Sequence, residues 1–534
     1  MTTEPIPLLP RISDYPDWHA ARQPDAIALS LYDLDVSYLQ LSQRVNDLAR
    51  ALLAAGVGKG DRVATLQTPR PEYVIAFLAT ASIGAIWLGL NPRYQLPELS
   101  RAVLDAEPPV LLMRTKIGER RYDREAASFL AAEIPRRVVV FDGDPLVPGA
   151  DSMQGFIAAG SAVSTAALEA ARSACGGRDP CLIVYTSGSS GSPKGALLHH
   201  EGIARVSRAQ VDIWGVDPFC IVNYFPINHV GCVVDCTTPS LVAGGTLHFM
   251  EQFEPKECLE LMVRKRATIW GSVPSAFRLQ TELDGFEGFD LSAVQLIAWG
   301  GGAMSETLIA RLRRICPRLC TNYGMTESCG TVTSVLPTDD LDILAHSVGQ
   351  PIDGVEVRLT AMDDSIVARG ETGEIQVRSG HNLLGYWRSR EATIAAFTAD
   401  GFLRTGDLAV ERPDGRYRLV GRLTDMYKSG GYNVYPREIE AVLEGHPAIT
   451  LAAVVAAPDP LWQEVGIAYV VALAPITASE LAAYCRSLLA AYKIPKRIIV
   501  EADLPLLPIG KVDKRVLRAR AAELHRSATT PQLF

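Results

Sequence analysis

The sequence predicts an α/β protein: a large N-terminal domain of layered α/β subdomains carrying a small β subdomain, then a small α+β C-terminal domain. Three observations predict it. Helix-like and strand-like segments alternate as far as Val420, the pattern of α/β layering. Between Gly354 and Ser379 the texture changes to short β runs broken by Gly370, Gly373 and Gly380. Beyond Gly421-Arg-Leu-Thr-Asp425 a new compact set of strands and helices begins. A chain of 534 residues exceeds one core and divides into about three or four domain-sized units. The main division is set at residues 1–424 and 425–534.

In order along the chain, Ser37 to Ala55 has helical spacing and Asp61 to Leu66 reads as a strand. Tyr73 to Leu90 is uncharged and sits at the short limit for a membrane span. Thr80, Ser82 and Gly84 inside it, and Asn91-Pro92 at its end, favour a buried helix that turns at Gly84 into a core strand. Glu98 to Leu104 is helical, Val110 to Met113 a strand, and the Ala-rich stretch Thr165 to Ala174 a surface connector. Cys181 to Tyr185 is a buried strand. In the C-terminal part a hairpin-like stretch precedes a helix over Arg437 to Glu444. Strands over Ala452 to Ala456 and Gly466 to Leu473 and a helix over Ala478 to Tyr492 follow.

Charge and composition exclude several classes. Hydrophobic residues make up 48% and charged residues 21%, and the net charge is −8, which argues against nucleic acid as the main partner. The basic run Lys511 to Arg520 reads as a solvated helix face. The ten cysteines form no C-x-x-C pattern and no zinc pattern. Reduced thiols in a cytoplasmic protein are expected, and Met1 to Pro10 lacks a basic signal-peptide region.

The densest chemistry lies in Tyr185-Thr-Ser-Gly-Ser-Ser-Gly-Ser-Pro-Lys-Gly195, straight after the buried strand. Glycines let backbone N–H groups converge on an anion, hydroxyls add donors, and Lys194 brings a positive charge. It is not the usual P-loop, because Pro193 precedes the lysine and Gly195 follows it. Taken alone it is equally a flexible connector. Further signals follow: Gly300-Gly-Gly-Ala303, Asn322-Tyr-Gly-Met-Thr-Glu327, Arg404-Thr-Gly-Asp-Leu408, Gly421-Arg422 and Pro508-Ile-Gly-Lys511.

Together and in this order, these motifs resemble those of the adenylate-forming superfamily, in its acyl-CoA synthetase branch. The resemblance spans nearly the whole chain. It implies an AMP-forming acid–CoA ligase, with ATP, Mg²⁺ and coenzyme A as co-reactants and a small carboxylic acid as substrate. A separate carrier protein is the alternative acceptor, and a non-catalytic nucleotide-binding relic is a further alternative. Homodimerisation is compatible with it. By position, Thr186, Ser187, Gly188, Ser189, Ser190, Gly191 and Lys194 form the phosphate loop. Gly301, Gly302, Ala303, Asn322, Tyr323, Gly324 and Met325 surround the nucleotide, Tyr323 matching the residue that stacks on adenine. Thr326 contacts the α-phosphate, and Glu327 with Thr186 holds the metal. Asp407 and Arg422 match the ribose-binding pair, Asp425 the hinge and Lys511 the mobile catalytic lysine. Lys428 and Asn433 resemble residues that contact the adenylate, and Ser429, Gly430 and Gly431 would face coenzyme A.

The acid pocket departs from the family pattern. Pro226-Ile-Asn-His229 stands where many members carry Pro-x-Phe-His, so Asn228 replaces the common aromatic. His229 matches the family histidine near the acyl pocket; a buried structural histidine is the alternative. Val233 and Gly300 are expected to line the pocket, and Trp299 either floors it or is simply core, as large aromatics usually are. Asp235 is read as a solvent-facing helix acid, with recognition of a polar or cationic group on the acid as the alternative. An aromatic, alicyclic or aliphatic acid all remain open.

Overall fold

The computed structural model describes residues 6–143, 147–186, 193–429, 432–459, 461–507 and 510–529. Two large mixed sheets, of nine and eight strands among the described residues, form the N-terminal layers. At the middle of the eight-stranded sheet the strands Arg62–Leu66, Ile86–Leu90 and Pro180–Thr186 run parallel. The strands Cys220–Asn223, Ile269–Ser272, Leu296–Gly300 and Leu319–Met325 run parallel in the nine-stranded sheet. Parallel strands buried on both faces read as continuous apolar runs, which is why Cys181 to Tyr185 shows no alternation.

The uncharged run near residue 80 is the helix Pro71–Ser82, buried everywhere except Glu72, then the fully buried strand Ile86–Leu90. Gly84 makes the turn at φ +76°. Each large apolar side chain so buried contributes about 1.5–3 kcal/mol, so the helix is held by its surroundings on all sides. No helix among the described residues is long and apolar enough to cross a membrane.

The stretch near residue 170 corrects the connector reading. It is a helix, Thr165–Ser173, capped by the Ser164 side chain and buried only at Leu168. One anchoring position is too little to give a helical period, so alanine propensity and a cap carry this helix.

The small β subdomain is a four-stranded antiparallel sheet containing Val355–Thr360, Thr372–Ser379, Leu403–Glu411 and Tyr417–Arg422. After Arg422 the chain leaves that sheet, and Tyr427–Ser429 begins the five-stranded C-terminal sheet. The long strands Ile449–Asp459 and Gln463–Ala472 pair along their length, the second also meeting Tyr427–Ser429 and Arg497–Glu501, and the helix Pro436–Glu444 packs on the sheet. The next helix, Ala478–Leu488, is shorter than expected, and Ala491–Lys493 is a separate 3₁₀ turn.

The basic run does not form a freely solvated face. On the C-terminal helix Lys514–Thr529, Lys514 and Arg518 both pair with Asp425, Lys514 at 3.8 Å. Lys514 also reaches Glu440 at 2.7 Å. The ten cysteines are free and buried.

Candidate active site

The site collects at the carboxyl ends of the parallel strands of both sheets, where open α/β sheets leave a crevice. Thr186 ends its strand in the eight-stranded sheet; Gly300 and Met325 end theirs in the nine-stranded sheet. The 3₁₀ turn Thr326–Ser328 then carries Glu327 into the gap, with Thr326 and Glu327 buried. Thr186 donates from Oγ1 to Glu327 Oε1 at 3.2 Å. The Tyr386 hydroxyl donates to the same oxygen at 2.9 Å. Tyr386 lies on the short strand Gly385–Tyr386, paired with Lys194–His199, and its ring faces the Lys194 ammonium at 5.4 Å. Ser187, Gly188, Ser189, Ser190 and Gly191 lie outside the described residues.

A second cluster lies on the small β subdomain. Asp407 and Arg422 are direct cross-strand partners, and Arg422 Nε donates to Asp407 Oδ1 at 2.9 Å. Tyr323 donates its hydroxyl to the other oxygen, Oδ2, at 2.8 Å. Hydrogen bonds to a charged group are worth about 1.5–3 kcal/mol, so Tyr323 holds the carboxylate in one orientation. The Tyr323 ring is only 6% exposed, among Val332, Leu359, Ile375 and Ala409, so its main contact is this core and Asp407. Asn322 donates from Nδ2 to Thr331 Oγ1 at 2.7 Å. Gly324 is exposed and Met325 half-buried.

Lys511 enters from the C-terminal domain. Ser275 holds the turn before it by donating to the Gly510 carbonyl at 2.8 Å. The lysine stem lies against Gly301: a Cβ there would stand 2.9 Å from Lys511 Cε, and Gly301 has φ +79°. The left-handed backbone favours glycine at that position. Gly301, Gly302 and Ala303 are otherwise exposed. Burial lowers the Lys511 pKa, Arg422 lowers it further, and the negative charges of Asp407 and Asp235 pull it back. Lys511 thus feels charge from both ends of the cleft.

The other end of the cleft begins at His229, which caps the short helix Val230–Cys232 by accepting the Gly231 N–H at Nδ1, 3.0 Å away. Burial, assisted by Lys511, lowers its pKa to about 4, so the ring is neutral and Nε2 carries its proton. Two residues weighed for the pocket are buried in the core. Val233 has no exposed surface and Trp299 is 2% exposed. They belong to separate core clusters, Trp299 packing with Met304 and Leu312. Alternation along Leu296–Gly300 sends Trp299 away from the cluster that contains Val233; Gly300 keeps some open surface. The solvent-facing reading of Asp235 is also corrected: it sits in the π-helical turn Val233–Thr237, beside Gly330.

The chain matches the model of the AMP-binding enzymes over residues 16–387, and that of the AMP-binding enzyme C-terminal domain over residues 438–511. It belongs to the AMP-binding enzyme family. An indoleacetate–CoA ligase of Aromatoleum aromaticum is 32% identical, over 96% of this chain and 98% of that protein. A long-chain-fatty-acid–CoA ligase of Mycobacterium tuberculosis is also 32% identical, over 94% and 95%. The crystal structure of an anthranilate CoA ligase in complex with anthranoyl-AMP superposes with a TM-score of 0.86 at 25% identity, covering 98% of this chain and 100% of that one.

Within this AMP-binding chain, Tyr386 and Ser275 escaped the sequence reading, and Asp235 was carried there only as an alternative. Tyr386 and Glu327 lie 59 residues apart and share no motif. Lys428 is exposed, with its backbone N–H donating to Glu464 at 3.0 Å. Ser429 is buried. Gly430 and Gly431, and the side chain of Asn433, lie outside the described residues.

Proposed function

We propose that the chain is an AMP-forming acid–CoA ligase. The observation that carries this reading is the position of Lys511, between the Asp407–Arg422 pair and the Asp235–His229 end of one cleft. A carboxylate is a poor acyl donor because oxide leaves badly. Its attack on the α-phosphorus of ATP forms a phosphorus–oxygen bond and expels pyrophosphate, leaving an acyl adenylate. The coenzyme A thiol then forms a carbon–sulfur bond at the acyl carbon; AMP departs with the old carbon–oxygen pair, and the thiol proton passes to solvent.

Two anions must meet in the first step, and Lys511 neutralises the charge that develops there. Asp407 accepts the ribose hydroxyls beside Arg422. Thr186 and Lys194 hold phosphate oxygens. Two hard oxygens, Thr186 Oγ1 and Glu327 Oε1, stand 3.2 Å apart at the end of the phosphate loop, a donor set that suits Mg²⁺ completed by phosphate and water oxygens. When bound, that ion screens phosphate charge. Asp425 is the hinge about which the C-terminal domain exchanges Lys511 for the Lys428–Gly431 segment, bringing Ser429, Gly430 and Gly431 to the thiol arm.

The relatives are ligases of indoleacetate, anthranilate and long-chain fatty acids, so the acid is not assigned by likeness. The test is pyrophosphate release by purified protein with ATP, Mg²⁺ and a panel of carboxylic acids, with and without coenzyme A. Acid-dependent release that turns over with coenzyme A is expected. Release indifferent to coenzyme A would replace this reading with transfer to a carrier protein.

A further inference from the structure

Asp235 is the charged group of the cleft that the ligase chemistry leaves unused. The π-helical turn Val233–Thr237 that carries it is a rare conformation that inserts an extra residue and recurs at functional sites. Gln210 fixes this turn by donating from Nε2 to the Asp235 carbonyl at 2.8 Å. The carboxylate has no such anchor. Its Oδ1 is shut off from solvent and receives no hydrogen bond.

The facing backbone leaves room for it. A Cβ on Gly330 would stand 2.7 Å from Asp235 Oδ1, and Gly330 has φ +101°. Gly231 is the neighbour on the other side, where a Cβ would stand 3.9 Å from Oδ2. Lys511 is near enough to influence the carboxyl, yet no ion pair joins the two among the described residues. Burial drives the Asp235 pKa up to about 7, against the pull of Lys511. The residue nonetheless retains exposed surface. Desolvation of this strength does not fit a helix face in bulk water.

A buried acceptor without a donor is costly in an empty pocket and worse beneath a hydrocarbon. We propose that Asp235 determines substrate specificity: it accepts a hydrogen bond from an N–H or O–H that the acid carries away from its carboxylate. The chain therefore selects hydroxy-, amino- or ring-N–H-bearing carboxylic acids over hydrocarbon acids. The inference rests on the ligase reading and names the substrate class of that same pocket. It adds a contact that acts on the bound acid and takes no part in bond making.

The test compares kcat/KM for matched acids, read as pyrophosphate release with coenzyme A present. The pairs are para-hydroxyphenylacetate against para-methylphenylacetate, and indoleacetate against N-methylindoleacetate. Wild type, Asp235→Asn and Asp235→Leu are measured side by side. Wild type is expected to favour the donor-bearing member by about 10-fold or more, because a site built for a hydrogen bond rejects the analogue that lacks it. Asp235→Leu should abolish or reverse that ratio while turning over the methylated acids at least as well as wild type. Asp235→Asn, which keeps an acceptor oxygen, should retain part of the preference. The ratio within each variant is insensitive to the fraction of protein folded. A ratio unchanged in Asp235→Leu overturns the proposal, as does a wild-type preference for the methylated acids, and either result leaves the ligase reading standing. Absence of acid-dependent release from every acid by wild type that still binds ATP overturns the ligase reading, and the proposal with it.

Discussion

The nucleotide end and the acid end of the cleft treat their charges in opposite ways. At the nucleotide end each carboxylate has partners: Asp407 accepts from Tyr323 and Arg422, and Glu327 from Thr186 and Tyr386. At the acid end His229 uses one ring nitrogen on its own turn, and Asp235 Oδ1 has no partner at all. The first arrangement is preorganised for a ligand that is the same in every turnover. The second leaves bonding capacity for the ligand to complete, and that is where one member of a family differs from the next.

The strongest attack on this contrast removes the group that spans both ends. Lys511→Ala is expected to slow adenylate formation by about 100- to 1,000-fold, the scale for losing a preorganised charge at a transition state. Thioester formation from supplied acyl adenylate should lose far less, and single-turnover assays of the two half-reactions would separate them. Equal losses would mean that the lysine serves both steps. Within the nucleotide end, Glu327→Gln removes the negative charge while preserving the shape. Activity should fall by about 10- to 100-fold and recover partly as Mg²⁺ is raised, as pyrophosphate release across a Mg²⁺ series would show. No Mg²⁺ dependence of the defect would detach Glu327 from the metal.

Smaller effects sharpen the comparison. Asp425→Ala releases Arg518 and leaves Lys514 paired with Glu440 alone, a partly exposed cluster worth roughly 1 kcal/mol, so adenylation should change by only about 2- to 5-fold. Limited proteolysis between Arg422 and Tyr427 should quicken in parallel. The gentlest test uses pH. Because the Asp235 pKa is raised from 3.8 to about 7, the folded protein holds a proton there that the unfolded chain has lost. Stability from this group therefore declines as pH rises from about 4 through about 7. Asp235→Asn should remove that decline, so its Tm advantage over wild type should grow by a few degrees between pH 5 and pH 8. A constant difference would show that Asp235 does not carry a desolvated charge.

The legible parts of this fold were those whose signal is local. The helix Pro71–Ser82 and strand Ile86–Leu90 announced themselves by an uncharged run broken at one glycine, because burial on every side excludes charge. The nucleotide-end motifs were legible because backbone turns and donors must lie close in sequence to surround one ligand. Thr165–Ser173 was hidden because a helix with one buried residue has no period to detect. Trp299 stayed undecided between pocket floor and core because a strand residue's face is set by sheet packing, not by the glycines that follow it; it lies in the core. Asp235 was hidden for a related reason: helical spacing assumes 3.6 residues per turn, and a π turn redirects each side chain that it carries.

The His229 ring has a consequence for the thiol. Its Nδ1 lone pair is engaged by the Gly231 N–H, and its remaining nitrogen already carries hydrogen. Such a ring can give a hydrogen bond but has no free electron pair with which to take a proton. With the ring in this arrangement His229 cannot deprotonate coenzyme A, and in the proposed reaction the sulfur must arrive already ionised or shed its proton to water as it attacks. Transfer should then track the thiolate fraction of the acceptor in solution and rise with pH toward the thiol's own pKa, with no inflection belonging to an imidazole.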